Sequence, residues 1–241
     1  MRVFPAPAHM TPDGGWLFDP RKRSYLWTDC HGTANLPQIC GDWMVQNTGT
    51  GAGMNYAAAI GVSSPGGEGI ALIQTGTTAT GRCAIASSSF ERLCLGSGEV
   101  MFETRLHLSA LSSASETHIT HIGLHDSVTA SATDGVYFAA PVPLSSGNWT
   151  VTTVAGGVAT TTDTGVAAVA GAYTVLRVEV NANASKAWFS INGVVVATHT
   201  TNIPNGFSQR TGAVVSMRKT VGLTSRYIAC DYAYLVWEVD R

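Results

Sequence analysis

The sequence predicts an all-β protein, an antiparallel β-sandwich preceded by an irregular N-terminal arm. From about residue 70 onwards, short runs of alternating apolar and polar residues recur at intervals of about 8–12 residues, and Thr, Val, Ala and Gly dominate. No stretch carries a sustained apolar stripe at helical spacing with capping residues at both ends, which argues against helices. We therefore expect a chain that folds as strands and turns.

Residues 1–69 differ from the rest, because Gly, Pro, Asn and Asp take the place of the periodic pattern. The stretches TPDGG, NTGTGAG and SSPGGEG are typical of turns and loops. We therefore divide the chain into an extended arm with irregular cover at 1–69, which has room for a few short strands, and a sandwich domain at 70–241. Such an arm can pack on its own domain or reach a neighbouring subunit.

The run EVMFETRLHLS, residues 99–109, is the clearest strand, because apolar and polar side chains alternate along it. One face is predicted to carry Val100, Phe102, Thr104, Leu106 and Leu108. The run YTVLRVEV, residues 173–180, alternates in the same way. Both patterns indicate antiparallel strands with one face on the core.

Turn residues and a final apolar run complete the predicted sandwich. Asn192-Gly193 stands between two apolar runs, which is a strong hairpin signal since both residues tolerate positive φ. Gly156-Gly157 indicates another turn between strands. The run RYIACDYAYLVWEV, residues 226–239, is apolar on both faces, as expected of a central strand.

Composition limits the classes of function. The 241 residues are 45% hydrophobic and only 12% charged, with a formal net charge of -2, whereas an average protein is about 25% charged. So low a charge suggests that a partner or further copies of the chain cover part of the surface, and it argues against nucleic-acid binding, which needs a basic face. We see no secretory signal and no apolar run long enough to cross a bilayer, so we expect folding in a cytoplasm and no membrane insertion.

The five cysteines include no C-x-x-C pair, so neither a zinc ribbon nor a thioredoxin-like motif is predicted. Buried free thiols are the expected state. A cross-strand disulfide is the alternative: if SSSF is the turn of a hairpin, Cys83 and Cys94 face each other.

The stretch HITHIGLHD, residues 118–126, raises the question of a metal site. In a strand, His118 points away from His121 and His125, and these two share a face at a separation of about 13 Å, too far apart to bind one ion. Neither a metal site nor a cofactor is therefore predicted. If the strand at 99–109 pairs with this one, a polar face for a ligand or a neighbouring subunit consists of Arg105, His107, His121 and His125.

Asp126 and Asp134 bracket the loop that follows, and Asp134-Gly135 is typical of a turn that opens a strand. A calcium site between the two aspartates stays open as a weaker alternative. Calcium takes six to eight oxygen ligands, and the sequence offers no D-x-D-x-D series.

Five stretches follow one another in the second half of the chain: GLHDSVTASATDGVYF, NWTVTTVAGGVATTTDTGV, YTVLRVEVNA, WFSINGVVVATHTTNIP and IACDYAYLVWE. This series resembles the concanavalin A-like jelly-roll domains of tailed-bacteriophage virion proteins, over about residues 70–240. The resemblance implies two antiparallel sheets packed face to face, with a concave sheet that binds glycan in the lectin and glucanase relatives. In phage proteins it implies a capsid decoration, a fibre or a host-contact module, frequently a trimer.

Glucanases of this fold carry the motif E-x-D-x-x-E on one strand, and retaining hydrolysis needs two carboxylates about 5–5.5 Å apart. The motif is absent from the sequence, and the nearest pattern is WEVD, with Glu238 and Asp240. Glu99 and Glu103 share a strand face but lie about 13 Å apart. A Ser-His-Asp hydrolase is harder to exclude, because that triad is recognised by geometry, but a G-x-S-x-G elbow is missing. We therefore expect no enzymatic activity.

The leading hypothesis is a non-enzymatic structural protein of a bacteriophage virion, a capsid decoration or head-fibre protein anchored by its N-terminal arm. Its partners would be other virion proteins and further copies of itself, in a trimer as the resemblance implies, and it would assemble in the host cytoplasm. The alternative is a tail protein that binds a host surface glycan or receptor, with Tyr137, Trp149 and Trp188 stacking on sugar rings. A glycoside hydrolase is the least favoured hypothesis.

Overall fold

The computed structural model describes residues 23–28, 43–57, 69–87, 93–142 and 146–238. These residues form fifteen strands and no helix, so none of their segments is a helix that could span a membrane. The strands are β1 (Arg23–Thr28), β2 (Trp43–Thr48), β3 (Ala52–Ala57), β4 (Ile70–Thr75), β5 (Arg82–Ser87), β6 (Val100–Leu108), β7 (His118–His125), β8 (Gly135–Ala139), β9 (Asn148–Ala155), β10 (Val158–Ala167), β11 (Tyr173–Val180), β12 (Ala187–Ile191), β13 (Val194–His199), β14 (Gly212–Lys219) and β15 (Tyr227–Glu238). The predicted all-β antiparallel sandwich is confirmed.

The strands form two antiparallel sheets. The eight-stranded sheet has the order β13-β12-β11-β6-β15-β4-β3, and β1 also pairs with β15. The seven-stranded sheet has the order β10-β9-β8-β7-β14-β5-β2. β15 pairs with β6 on one side and with β4 and β1 on the other, which confirms the central position predicted for the final apolar run.

The core lies between the two sheets and is built from one face of each. The predicted apolar face of β6 is buried, since none of its members is more than 5% exposed: Val100, Phe102, Thr104, Leu106 and Leu108. From the seven-stranded sheet, Ile122 and Phe138 join the same core with no exposed surface. Each large apolar side chain buried in this way contributes about 1.5–3 kcal/mol, so the shared core holds the sheets together.

Two predicted hairpins are present. Asn192 and Gly193 have φ values of 50° and 80° and connect β12 to β13. Gly156 and Gly157, with φ values of 56° and 80°, connect β9 to β10. Positive φ at both central residues is the geometry that matches the twist of the flanking strands, so these residue pairs set the registers of the two hairpins.

Three strands from residues 1–69 belong to the sandwich. β1 pairs with the C-terminal half of β15, β2 pairs with β5 at an edge of the seven-stranded sheet, and β3 pairs with β4 at an edge of the eight-stranded sheet. The described segments of this range therefore pack on the chain's own domain. The remainder of the predicted arm lies outside the described residues.

The predicted pairing of β6 with β7 is wrong. β6 pairs with β11 and β15, whereas β7 pairs with β8 and β14 in the other sheet. Each of the two strands has one apolar face, and these faces meet across the core, which places the strands in opposite sheets. Arg105 and His107 consequently lie on one outer surface of the sandwich, and His121 and His125 lie on the other.

The hypothesis that Cys83 and Cys94 face each other across a hairpin is also wrong. Cys83 stands opposite Met217 and Asn47 on the neighbouring strands. Cys94 follows Leu93, which bridges to Thr211 directly before β14. Cys83, Cys94 and Cys230 are free thiols, whereas Cys30 and Cys40 lie outside the described residues. Burial raises the pKa of the Cys83 thiol to about 12, which keeps it protonated and unreactive.

Candidate functional site

The outer surface of the seven-stranded sheet, which we call the histidine face, carries side chains that are in register across the strands. One transverse row consists of Gln46, Ala84, Ser216, His121, Ala139, Thr150 and Asp163. The next row consists of Met44, Ala86, Val214, Gly123, Tyr137, Thr152 and Thr161. Register partners lie about 4.8 Å apart, so each row crosses the whole sheet.

Part of the first row is accessible. Its members on β5 and β14 are buried, whereas those on the following four strands are half-buried or exposed. We call the accessible stretch the polar row; it consists of His121, Ala139, Thr150 and Asp163. It extends over β7, β8, β9 and β10, about 14 Å across three strand spacings.

The two outward histidines lie closer together than their sequence spacing suggests. His121 and His125 are about 13 Å apart along the strand, yet their ring centroids are only 5.8 Å apart. The side chains lean towards each other over Gly123, and the Tyr137 ring lies 4.6 Å from His121 and 5.6 Å from His125. The predicted separation of the two imidazoles is therefore wrong, because it took the positions along the strand as the positions of the rings.

Two glycines make room for this ring cluster of His121, His125 and Tyr137. A Cβ at Gly123 would lie 2.5 Å from the carbonyl oxygen of Val136 and 2.7 Å from the Cα of Tyr137, and the φ of Gly123 is +151°. A Cβ at Gly135 would lie 2.8 Å from the Cβ of His125. Glycine at both positions lets the backbones and rings of β7 and β8 approach this closely.

The loop at 126–134 covers one side of the ring cluster. Val128 packs on small apolar side chains of β5 and β14, and Ala132 packs on Tyr137 and Val154. His125, directly before the loop, has no exposed surface. His121 is therefore the accessible member of the cluster.

The aspartates at the two ends of this loop hold its shape. Asp126 accepts hydrogen bonds from the backbone N–H and the hydroxyl of Thr133, and Asp134 accepts one from the backbone N–H of Gly156 at 2.8 Å. Both carboxylates thus satisfy loop donors, as turn residues do, and the calcium alternative gains no support. Among the described residues, no group of three or more His, Cys, Asp or Glu side chains could hold a metal ion.

Burial keeps both histidines of the cluster neutral. It lowers the pKa of His125 to about 4. Burial, together with the charges of His125 and Arg218, lowers the pKa of His121 to about 3. Burial also raises the pKa of Tyr137. At neutral pH each imidazole therefore offers one N–H donor and one acceptor nitrogen, and the tyrosine keeps its proton.

His125 is poorly satisfied in its buried position. Both of its ring nitrogens lack a hydrogen-bond partner of normal geometry. The backbone of Ser127 and of His121 lies near enough to oppose the fall in its pKa.

Arg82 and Arg218 stand side by side next to the polar row. They are register partners on β5 and β14, and both are half-buried. The charge of Arg218 acts on the pKa of His121 and on that of Tyr137. The two guanidinium groups therefore make this end of the histidine face positive.

Arg105 and His107 belong to the outer surface of the eight-stranded sheet and not to the histidine face. Arg105 donates a hydrogen bond to Asp231 at 2.6 Å, and its guanidinium lies 4.3 Å from the centre of the Tyr173 ring. His107 is buried, with its ring centroid 5.6 Å from that of Tyr173 and 6.4 Å from that of Tyr227. The predicted face of four residues is therefore wrong, because its members come from two sheets.

Glu103 on the same surface forms a buried ion pair with Arg177. Its carboxylate accepts a hydrogen bond from Arg177 Nε at 2.7 Å and another from the Tyr232 hydroxyl at 2.8 Å. Burial, and then the negative charge of Glu103, raises the pKa of Tyr232. These contacts tie β6 to both of its neighbouring strands.

The three aromatic residues predicted to stack on sugar rings occupy different environments. Trp149 is 1% exposed and packs in the core, with its ring centroid 6.4 Å from that of Phe138, so its predicted stacking role is wrong. Tyr137 lies on the histidine face but is only 7% exposed. Trp188 is half-buried on the outer surface of the eight-stranded sheet, where the Lys186 ammonium lies 5.0 Å from its ring centroid.

Arg82, Arg218 and Ser216 were not among the predicted site residues. A local signal exists in AVVSMRK, where Ser216 and Arg218 alternate with apolar inward positions. The neighbours of this strand give no local signal, because β14 lies between β5 and β7, which are distant from it in the chain. The sequence therefore predicts outward polar residues on β14 but not the face that they join.

The described residues form two antiparallel sheets packed on a common core, without helices, and this β-sandwich has the jelly-roll fold of concanavalin A-like proteins. The chain belongs to the SO2946-like family, since the family model for the SO2946-like C-terminal domain matches residues 67–231. Comparison with curated protein sequences found no match.

Several solved structures have a similar fold, among them the following three. The protein of unknown function SO2946 from Shewanella oneidensis MR-1 is 13% identical, with a TM-score of 0.65 over 98% of this chain and 97% of that chain. An endo-1,3-beta-glucanase from Streptomyces sioyaensis is 14% identical, with a TM-score of 0.58 over 98% of this chain and 99% of that chain. The carbohydrate recognition domain of Emp47p is 10% identical, with a TM-score of 0.56 over 92% of this chain and 100% of that chain. At these identities the likeness concerns the fold alone.

Proposed function

We propose that this chain is a non-enzymatic jelly-roll module that binds a carbohydrate on the polar row of the histidine face. The observation that carries the proposal is the half-buried, neutral imidazole of His121, whose ring centroid lies 4.6 Å from that of Tyr137. Thr150 and Asp163 follow His121 in the same row at the spacing of the strands. The site therefore spans several strands of one sheet.

The chemistry of the polar row suits a sugar. Sugar hydroxyls both donate and accept hydrogen bonds, and a sugar site combines a few such polar groups with a ring surface. A neutral imidazole and a threonine hydroxyl each donate and accept, and a carboxylate accepts. The fold is shared with a carbohydrate recognition domain and with a glucanase, which supports the proposal at the level of architecture.

The test replaces His121 by Phe, which keeps an aromatic ring and removes both nitrogens. At least one glycan on an array should retain the unmodified protein. The substitution His121→Phe should weaken this binding by about tenfold, as expected for the loss of one or two hydrogen bonds. His107→Phe is the matched control, because His107 is also an outward histidine on a central strand but lies in the other sheet. If no glycan on the array retains the unmodified protein, the proposal is contradicted.

The distribution of carboxylates supports binding without hydrolysis. The described strands of the seven-stranded sheet carry one carboxylate, Asp163, which accepts hydrogen bonds from Ser146 and Asn148. Retaining and inverting glycosidases both need two carboxyl groups, within about 10 Å of each other. Incubation with the glycan that binds should release no new reducing ends; their appearance would show that the module is an enzyme.

A second proposal concerns the setting of the protein, which we place on a bacteriophage virion as a capsid decoration or head-fibre protein, with a receptor-binding tail protein as the alternative. Support comes from the succession of sequence patterns that resembles phage jelly-roll domains, and from the low charge of 12%, which favours a partly covered surface. Other virion proteins and further copies of the chain, in a trimer, would be its partners, and it would assemble in the host cytoplasm.

The virion proposal is tested on purified particles. Mass spectrometry should detect the chain in particles of the phage that encodes it, and light scattering of the isolated protein should give the mass of a trimer. Antibody labelling separates the head from the tail. Particles that lack the chain would remove the virion proposal and leave the carbohydrate proposal intact.

A further inference from the structure

Two like charges face each other at the end of the histidine face. Arg82 and Arg218 are direct register partners on adjacent strands, and like charges in that arrangement are unfavourable. Burial is the main reason for which the pKa of Arg218 is lowered, and the charge of Arg82 lowers it further. The second of these effects reflects the repulsion between the two arginines. The seven-stranded sheet therefore contains an unfavourable interaction between two positive charges when no ligand is bound.

No acid in the described part of the chain forms an ion pair with either arginine. Within the described residues, neither guanidinium has a salt bridge or a side-chain hydrogen bond, and the side-chain ion pairs found there, Arg105–Asp231 and Arg177–Glu103, lie in the eight-stranded sheet. The strand carboxylate of the histidine face, Asp163, is on β10, four strands away from β14. Among the described residues, the two positive charges beside the polar row therefore have no carboxylate partner.

The neighbouring groups do not add to this charge. His121 is neutral, because burial and the charges around it hold its pKa at about 3. The polar row therefore begins at a neutral ring beside two cations and ends, about 14 Å away, at the exposed Asp163. A ligand that lies along this row meets opposite charges at its two ends.

We infer that the glycan bound by the histidine face is anionic, and that Arg82 and Arg218 bind its carboxylate or sulfate group. This inference rests on the proposed carbohydrate function. A guanidinium binds carboxylate and related oxyanions through two parallel N–H donors, and an anion between two guanidinium groups relieves their repulsion. The acidic group lies beside His121, and the neutral part of the glycan continues along the polar row.

The test compares an acidic polymer with its neutral counterpart. Polygalacturonate and hyaluronate are each used as such and after chemical reduction of their carboxyl groups, which leaves the linkages unchanged and removes the charge. Dextran sulfate and dextran form the corresponding sulfate pair. The unmodified protein should bind the acidic member of at least one pair about tenfold or more tightly than the neutral member, and raising the salt concentration should reduce the difference.

Variants connect this preference to the two arginines. Arg82→Gln and Arg218→Gln should each remove most of the preference for the acidic polymer, and their thermal stability should stay equal or rise, because a repulsive pair is relieved. Arg210→Gln is the matched control for the change in net charge, since Arg210 precedes the opposite end of β14 and lies by Phe207. The control should keep the full preference.

The outcomes separate this inference from the proposed function. Equal binding of acidic and neutral polymers, or an acidic preference that survives both arginine substitutions, overturns the inference and leaves the carbohydrate proposal standing. Failure to bind any of the polymers or any glycan on the array overturns both. A preference for sulfate over carboxylate supports the inference and identifies the acidic group.

Discussion

Gly123 sets how closely β7 and β8 approach below the ring cluster. A Cβ at this position would meet backbone atoms of Val136 and Tyr137 at 2.5–2.7 Å, and the φ of +151° is unfavourable for any other residue. We therefore expect Gly123→Ala to lower the free energy of unfolding by about 1–3 kcal/mol through overpacking and backbone strain. Urea unfolding followed by tryptophan fluorescence measures the loss.

Gly193→Ala is the control for this prediction. Gly193 also has a positive φ, of 80°, but nothing lies within 4 Å of the site of its Cβ, so only the backbone term applies, about 1–2 kcal/mol. A loss at Gly123 no larger than the loss at Gly193 would contradict the close contact between β7 and β8.

The histidines of the ring cluster make stability depend on pH. In the folded protein their pKa values are lowered from 6.5 to about 3 for His121 and about 4 for His125. The unfolded chain binds more protons than the folded chain between these values, so the stabilising contribution is complete above pH 6.5 and is lost as the pH falls towards 4. Each histidine contributes a slope of up to about 1.4 kcal/mol per pH unit.

This slope is measured by comparing variants. The free energy of unfolding of the unmodified protein should fall more steeply between pH 6.5 and pH 4 than that of His125→Phe. The difference between the two curves reports the titration of His125 together with its effect on the pKa of His121, because the other titrating groups are common to both. Parallel curves would mean that His125 titrates normally and is not buried as a neutral ring.

The sequence predicts well the strands and turns whose pattern lies within a few neighbouring residues. Alternation is enough for β6, and positive-φ residue pairs are enough for the hairpins at Gly157 and Gly193, because both depend on neighbours in the chain. The pairing of β7 with β14 brings together residues roughly 90 positions apart, and no local pattern encodes it. The histidine face could therefore be predicted strand by strand, but not as an assembled surface.

The same limit explains the errors at the site. The sequence placed His121 and His125 outward, which is correct, but joined them to the outward residues of β6, the preceding strand in the described part of the chain. In a sandwich, a strand with one apolar face can bury that face against the core from either sheet, so its pattern does not indicate the sheet to which it belongs. The long-range contacts that put β7 beside β14 also bring in Arg218, which the sequence did not associate with His121.

The 126–134 loop is held on the sheet by few apolar contacts. Val128 packs on small side chains of β5 and β14, and most of the contacts within the loop are hydrogen bonds of Asp126 and Ser127. We expect Val128→Ser to cost about 1–2 kcal/mol of burial and to speed amide hydrogen exchange within residues 126–134, with little change in β6 and β15. Mass spectrometry of the exchange reaction resolves these segments.

Val158→Ser is the matched control for the loop, because Val158 has the same side chain but is 61% exposed. It should leave the exchange of residues 126–134 unchanged. If Val128→Ser speeds exchange throughout the sandwich, the loop is part of the global folding unit instead of a separate cover over His125.

For the whole molecule, the two outer surfaces of the sandwich differ in how their charges are arranged. On the eight-stranded sheet, Arg105 and Arg177 have carboxylate partners, and Glu103 also accepts a hydrogen bond from Tyr232. On the histidine face, Arg82 and Arg218 face each other, and Asp163 lies at the far end of the polar row. The like-charged pair of arginines is therefore the feature of the histidine face that supports the ligand site proposed there.

The first described strand, β1, covers part of one edge of the central strand β15. β1 pairs with β15 through six register positions, from Arg23↔Glu238 to Thr28↔Ala233, so removal of residues 1–28 exposes one edge of the central strand. We expect this truncation to lower the melting temperature by several degrees more than removal of residues 1–22, which retains β1. If the arm anchors the proposed virion protein, the shorter truncation should still abolish incorporation into particles, as measured by mass spectrometry. Normal incorporation of a protein that lacks residues 1–22 would assign any anchoring to the sandwich itself, and its outer surfaces would then be the place to look for the contact.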